Sequence, residues 1–374
     1  MPLLSTKNKA FEGDVVELLV DLPEFHLRRG QRGIVIASFD EPCEAYDLEM
    51  EDESGTFTGF AYSIRPEQFN NLSRDAFVRA MEAVENVDLV TAERELRAAT
   101  DLRPDYIGGF VKSVLMSFDE RVEVTGIGDN VSFVIPLLRM AIRIDPTYEI
   151  ARINLAVAFL NFGVAQARKG DLRQALELFY SALSVESDLE TKSQIKTNIV
   201  IACTHLGREF FQADKVEEAF ASIRAAFLVI QDERTRRNLG IAYGNAGVFY
   251  MKNNNLDLAL QSFERAEDSG VVISDFVNDY GVCLVFKGRL REAMRAFERV
   301  LELDPQNEFA RSNLSRLRRT PTYSTTNASL SEFETLSSEM IVPRDQGFDI
   351  GRQLPEALNW RRPEVSAREF AGVS

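Results

Sequence analysis

With 374 residues, 45% of them hydrophobic and 10% aromatic, the chain has the length for two modules and a tail and the apolar content of an ordinary globular protein. A formal net charge of −15 opposes binding to nucleic acid, where Lys and Arg must neutralise phosphates, and favours partners with basic patches. No run approaches the roughly 18 consecutive apolar residues of a membrane span, and the stretch MPLLSTKNKAFEGD has no apolar signal core, so no membrane insertion and a cytoplasmic location are expected.

Residues 10–70 read as short strands. Val15-Val16-Glu17-Leu18-Leu19-Val20 precedes a turn at Asp21-Leu22-Pro23-Glu24, and Gly33-Ile34-Val35-Ile36-Ala37 follows the turn signal Arg29-Gly30. Tyr46-Asp47-Leu48-Glu49-Met50 alternates at period two, Glu53-Ser54-Gly55 reads as a hairpin turn, and Phe57-Thr58-Gly59-Phe60-Ala61-Tyr62 leaves it. Four or five such strands suit a small curled barrel. The turn and core residues from Asp14 to Glu49 resemble a family of small SH3-like barrels found in bacteria, often as stand-alone proteins of unassigned role; the resemblance implies a fold and no activity.

Residues 72–318 repeat themselves. From Asp304-Pro305, Val300, Phe297, Ala293 and Gly281 lie 5, 8, 12 and 24 residues back from the proline. This spacing lets two antiparallel helices approach at Gly and Ala, fills the gap with an aromatic ring and stops the second helix at Pro, and it is similar to the tetratricopeptide (TPR) repeat. The frame recurs at Gly247, Ala259 and Phe263; at Gly207, Phe210 and Ala219; and at Gly163, Ala175 and Phe179. Its second-helix half recurs at Ala92, Leu96 and Pro104, and at Val134, Leu138 and Pro146, making six units. Arg152-x-Asn154, Lys196-x-Asn198, Arg236-x-Asn238 and Arg311-x-Asn313 mark helix starts lying about two turns upstream of the standard one, so several first helices are expected to be lengthened without changing the inward face. Inter-repeat hydrogen bonding is the expected role of this ladder, with a binding stripe as the alternative. Residues 119–129, rich in β-branched residues and glycine, predict a loop, and residues 308–318 predict a terminal capping helix. The expected fold is therefore mostly α: about six TPR-like helix pairs in a solenoid, preceded by the barrel.

Residues 319–374 open with a polar linker and then carry Phe333, Leu336, Met340, Ile341, Phe348, Ile350, Leu354, Leu358, Trp360 and Phe370 at irregular spacing. That is too apolar for a disordered tail and predicts an extended arm docking on its own molecule or a neighbour.

Catalytic signatures are sparse. His26 and His205 lack a partner motif, and Cys43, Cys203 and Cys283 are odd in number, widely spaced and expected to be buried, reduced thiols. No phosphate loop, HExxH, CxxC or GxSxG occurs, and the acidic run 49–53 reads as a solvated hairpin tip rather than a cation site. No enzyme activity, metal or cofactor is expected; the rival enzymatic reading would use Cys203 or an acidic pair.

The TPR resemblance implies a partner-binding concave groove at Val157, Leu160, Val164 and Arg168; Thr204, Arg208 and Phe211; Ile241, Val248, Met251 and Lys252; and Asn278, Val282, Val285 and Phe286. A peptide or an amphipathic helix is the expected ligand. Val164, Arg208, Val248 and Val282 stand where chaperone adaptors of the family place an Asn of their carboxylate clamp, so that activity is not expected. The resulting expectation is an adaptor or scaffold within a larger assembly. The alternative is a regulatory or immunity-type protein acting through the acidic barrel, which has 14 acids against 6 bases over residues 1–70.

Overall fold

The computed structural model describes residues 9–40, 43–52, 54–125, 127–185, 187–319, 333 and 360–363. Five strands come first: β1 (Val15–Leu18), β2 (Arg32–Phe39), β3 (Ala45–Glu51), β4 (Phe57–Ile64) and β5 (Phe69–Asn71). They form one antiparallel sheet in the order β4-β3-β2-β1-β5. Val16, Leu18, Val35, Leu48, Met50, Ala61, Ile64 and Phe69 bury one face, at period two except in β4, where a bulge sets Ala61 and Ile64 three apart. Extra residues in β2 and β4, each opposite β3, bend the sheet.

Thirteen helices follow among the described residues: α1 (Leu72–Glu85), α2 (Leu89–Leu102), α3 (Tyr106–Thr125), α4 (Ile127–Ile144), α5 (Glu149–Arg168), α6 (Leu172–Ser184), α7 (Leu189–Gln212), α8 (Val216–Val229), α9 (Glu233–Lys252), α10 (Leu256–Asp268), α11 (Ser274–Phe286), α12 (Leu290–Leu303) and α13 (Glu308–Arg319). They make six pairs and a final single helix. Side-chain caps start many of them: Asn71 accepts from the Arg74 amide, Asp88 from Thr91, Asp188 from Thr191 and Asp232 from Thr235.

The expected landmarks act as packing devices. A Cβ added at Gly163 would lie 2.5 Å from the Phe179 ring, and one at Gly247 or Gly281 would lie 2.7 Å from Phe263 or Phe297. Ile223 takes the place of the ring against Gly207. Five of the tight turns inside pairs place one residue in the left-handed region, namely Val87, Gly170, Asp214, Asn254 and Gly288. Four of these are types that tolerate positive φ; Val87, β-branched at φ 60°, is not.

The lengthened first helices are present: α5, α7 and α9 span 20, 24 and 20 residues, against 13 for α11. The expected loop at 119–129 is not. Residues 119–125 continue α3 and residues 127–129 begin α4, because β-branched residues cost a helix only tenths of a kcal/mol each, too little to end one. The 42-residue interval there reflects two long helices instead. α5 is long and apolar enough to cross a membrane by length and composition, yet 67% of its apolar window is buried, as in a core helix.

Contacts divide the chain into two units. One holds residues 1–162, 184–191 and 358–374; the other holds 163–183 and 192–357. Within the first, Asp14 joins the sheet to the helices. Its fully buried carboxylate accepts from Arg103 Nη1 at 2.8 Å, Tyr106 Oη at 3.0 Å, Asn71 Nδ2 at 2.7 Å and the Phe11 amide at 2.9 Å. Burial and then the Asp14 charge push the Tyr106 phenol well above its usual pKa. In the second unit, Val248, Phe263, Phe276, Val282, Phe297 and Leu314 belong to a continuous core reaching α13.

Candidate functional site

The described part of the arm is seated on helices of its own chain. Long α3 and α5 bring Phe118, Asp119 and Asn154 to one place, and the first turn of α7 adds Glu190. Asn154 Nδ2 donates to the Arg361 carbonyl at 2.8 Å, and the Arg361 amide donates to Asn154 Oδ1 at 2.8 Å. One side-chain amide thus satisfies both main-chain groups of one residue, a geometry that reads extended backbone irrespective of side chain.

Side-chain contacts add selectivity. The Trp360 ring meets Phe118 edge-on at 5.1 Å and 89°, while its indole N–H donates to Asp119 Oδ1 at 3.1 Å. The other Asp119 oxygen accepts from Arg362 Nη2 at 2.8 Å, and Glu190 accepts from Arg361 Nη2 at 2.6 Å. Pro363 is buried. Burial works to raise the pKa of nearby Asp188, yet the Thr191 amide and hydroxyl and the Arg361 charge outweigh it and hold the carboxyl below its ordinary value. The seat is therefore acidic and its occupant is basic.

In the second unit Phe333 is a separate anchor: it is buried, meets Phe286 edge-on at 5.7 Å and lies 5.5 Å under the Arg316 guanidinium. Leu336, Met340, Ile341, Phe348, Ile350, Leu354, Leu358 and Phe370 lie outside the described residues.

The projected groove residues are mostly interior. Val157, Leu160, Val164, Thr204, Phe211, Ile241, Val248, Met251, Asn278, Val282 and Val285 are buried; Arg208 and Phe286 are half-buried; Arg168 and Lys252 are exposed. The Arg-x-Asn ladder divides its labour. Arg152 and Arg311 donate to the carbonyls of Pro146 and Pro305, the prolines that end the preceding pairs. Asn313 bonds Asn278 of α11 at 3.1 Å, an inter-repeat bond of the expected kind, whereas Asn154 binds the arm. Asn198 is fully buried, and among the described residues neither its amide oxygen nor its nitrogen has a hydrogen-bond partner.

The thiols correct one expectation. Cys203 and Cys283 are buried, but Cys43 is exposed, because it falls before β3 begins at Ala45 rather than on an inward strand position. Burial pushes the Cys203 thiol up to about 11, which keeps it protonated at neutral pH. His26 ends the turn at Pro23–Phe25 with φ 58°. Among the described residues no three His, Cys, Asp or Glu side chains converge in a metal-binding group.

Comparison with known proteins places two modules. A tetratricopeptide-repeat family model matches residues 241–269 and 275–307. The chain carries tetratricopeptide repeats. Residues 12–70, the sheet, match a domain of unknown function, DUF4926. No curated protein matches the chain. Among solved structures, MamA 41-end from Desulfovibrio magneticus RS-1 is 16% identical, covering 54% of this chain and 99% of its own, with a TM-score of 0.24. YrrB, titled a TPR protein with an unusual peptide-binding site, is 16% identical over 57% of this chain and 95% of its own, TM-score 0.25. PilW, a type IV pilus biogenesis factor, is 16% identical over 67% and 99%, TM-score 0.26. At these scores the superpositions carry no argument, and the repeat assignment rests on the family match and on the helix pairing. As a class, such repeats serve protein interaction.

Proposed function

We propose that the protein is a non-catalytic interaction scaffold whose first helices hold extended polypeptide segments. The observation that carries this reading is the paired bond between the Asn154 amide and the main chain of Arg361, which is peptide recognition by the repeat helices within the chain itself. The domain plan that goes with it is a small SH3-like barrel over 10–70, a repeat array over 72–318 and a docking arm over 319–374. Partners are proteins with basic or apolar segments, met in the cytoplasm as part of a multi-subunit assembly. Hydrogen exchange on the full chain tests the seat. Asn154→Ala should speed exchange of the Arg361 amide by tenfold or more while the helix amides of α9–α12 stay unchanged; an unchanged Arg361 amide refutes the reading.

A second contact surface belongs to the sheet. Phe57, Phe60 and Tyr62 stand exposed along edge strand β4, with ring centroids 4.9 Å and 6.1 Å apart. This row favours the alternative in which the β module regulates a partner. Replacing all three by Ser in the full chain should abolish such an interaction and leave seat occupancy intact. Residues 1–70 alone make a poor test, since isolation strips Arg103 and Tyr106 from Asp14.

A further inference from the structure

We infer that the seat on α3, α5 and α7 recognises a partner protein's exposed aromatic–Arg–Arg–Pro segment, in competition with the chain's own Trp360-Arg361-Arg362-Pro363. This deepens the scaffold reading and rests on it. The first three ligand positions have readers on the helices, and the fourth, Pro363, is buried. Phe118 and the Asp119 carboxylate demand an aromatic ring carrying an N–H donor. Asn154 demands extended main chain, Glu190 a guanidinium on the same residue, and the second Asp119 oxygen another guanidinium one residue on. All four readers belong to the helices and do not depend on which chain supplies the segment. The charge complementarity is one-sided, with Asp119 and Glu190 in direct contact with two cations in a chain of net charge −15.

The grip on the internal segment suits exchange. Arg361 and Arg362 keep side-chain exposures of 51% and 65%, and their acidic partners 68% and 38%, so both ion pairs are solvent-screened and weak. Among the described residues the segment is held by one amide pair, the two contacts of the indole and the buried Pro363, together with the concentrating effect of being on the same chain. Covalent connection on one chain supplies an effective concentration on the order of millimolar. A segment of intrinsic Kd near 100 μM would thus be about tenfold harder to bind in trans when the internal copy is intact. A partner overcomes that margin by adding a second contact or by presenting several copies.

The test uses the full chain and a fluorescent peptide of the sequence Glu-Ala-Leu-Asn-Trp-Arg-Arg-Pro-Glu-Val-Ser, residues 356–366. The variant Trp360→Ala/Arg361→Glu should free the seat and bind the peptide at least about tenfold more tightly than the unaltered chain. Adding Asn154→Leu should remove that binding; Asp119→Asn and Glu190→Gln, which keep the size and shape of the side chains, should each weaken it severalfold. A peptide with both arginines replaced by Glu should not bind. The inference is overturned if the freed chain fails to bind the peptide, if binding ignores Asp119→Asn and Glu190→Gln, or if sedimentation shows only tail exchange between copies of this chain. Failure here with a fast-exchanging Arg361 amide in Asn154→Ala leaves the internal seat standing and removes only the partner.

Discussion

Replacing Asp14 with Ala takes from the Arg103 guanidinium, whose side chain is 7% exposed, its 2.8 Å carboxylate, leaving it the more distant and exposed Asp105 at 3.7 Å, and removes the acceptor that Tyr106 and Asn71 share with it. Removing one partner of a buried ion pair costs about 3–5 kcal/mol, because the remaining charge stays desolvated. With a urea dependence near 2 kcal/mol/M, the midpoint of the transition involving the sheet and α1–α3 should fall by about 1.5–2.5 M. Circular dichroism follows the helices, and the single tryptophan, Trp360, reports from α3 in the same unit. The double variant Asp14→Leu/Arg103→Met should cost less than Asp14→Ala alone, since it leaves no charge unpaired. A midpoint shift below about 0.3 M for Asp14→Ala, or a double variant worse than the single one, would refute the argument that this carboxylate joins the two modules.

Three further outcomes are expected. Val87→Asn should raise stability by about 1 kcal/mol in a thermal melt, since it relieves a β-branched residue at positive φ whose exposed side chain packs little. Gly247→Ala should lower the melting temperature by an amount corresponding to about 1–3 kcal/mol, because its Cβ would meet the Phe263 ring. Ellman's reagent at pH 7.5 should titrate one thiol rapidly, Cys43, while Cys203, pushed up to about 11, reacts only on unfolding or as the pH climbs toward that value.

The helix pairs were legible because their signals are local. Gly281 and Phe297 are sixteen residues apart and their contact recurs in each clear unit, so spacing alone betrays it. Strand β5 was not singled out, since three residues carry no periodicity and its partner β1 lies more than fifty residues back. The loop expected at 119–129 gives way to helix because the local preference of a few β-branched residues and glycines is weak against the cooperativity of two long helices. The candidate seat was missed for a related reason. In the sequence Trp360 is one apolar residue among ten, whereas its bond to Asp119 is polar, and Asn154 meets Arg361 across 207 residues. Two adjacent arginines beside the sole tryptophan, in so acidic a chain, were the available clue. The projected groove was drawn for standard repeats, and most of its positions are interior here.

The 207-residue gap also sets a clock. A ribosome adding about 5–20 residues per second finishes Asn154 roughly 10–40 s before it reaches Arg361. Through that interval the newborn helices display their acidic cradle with no internal occupant available, and whatever cationic strand reaches them first has no rival to evict.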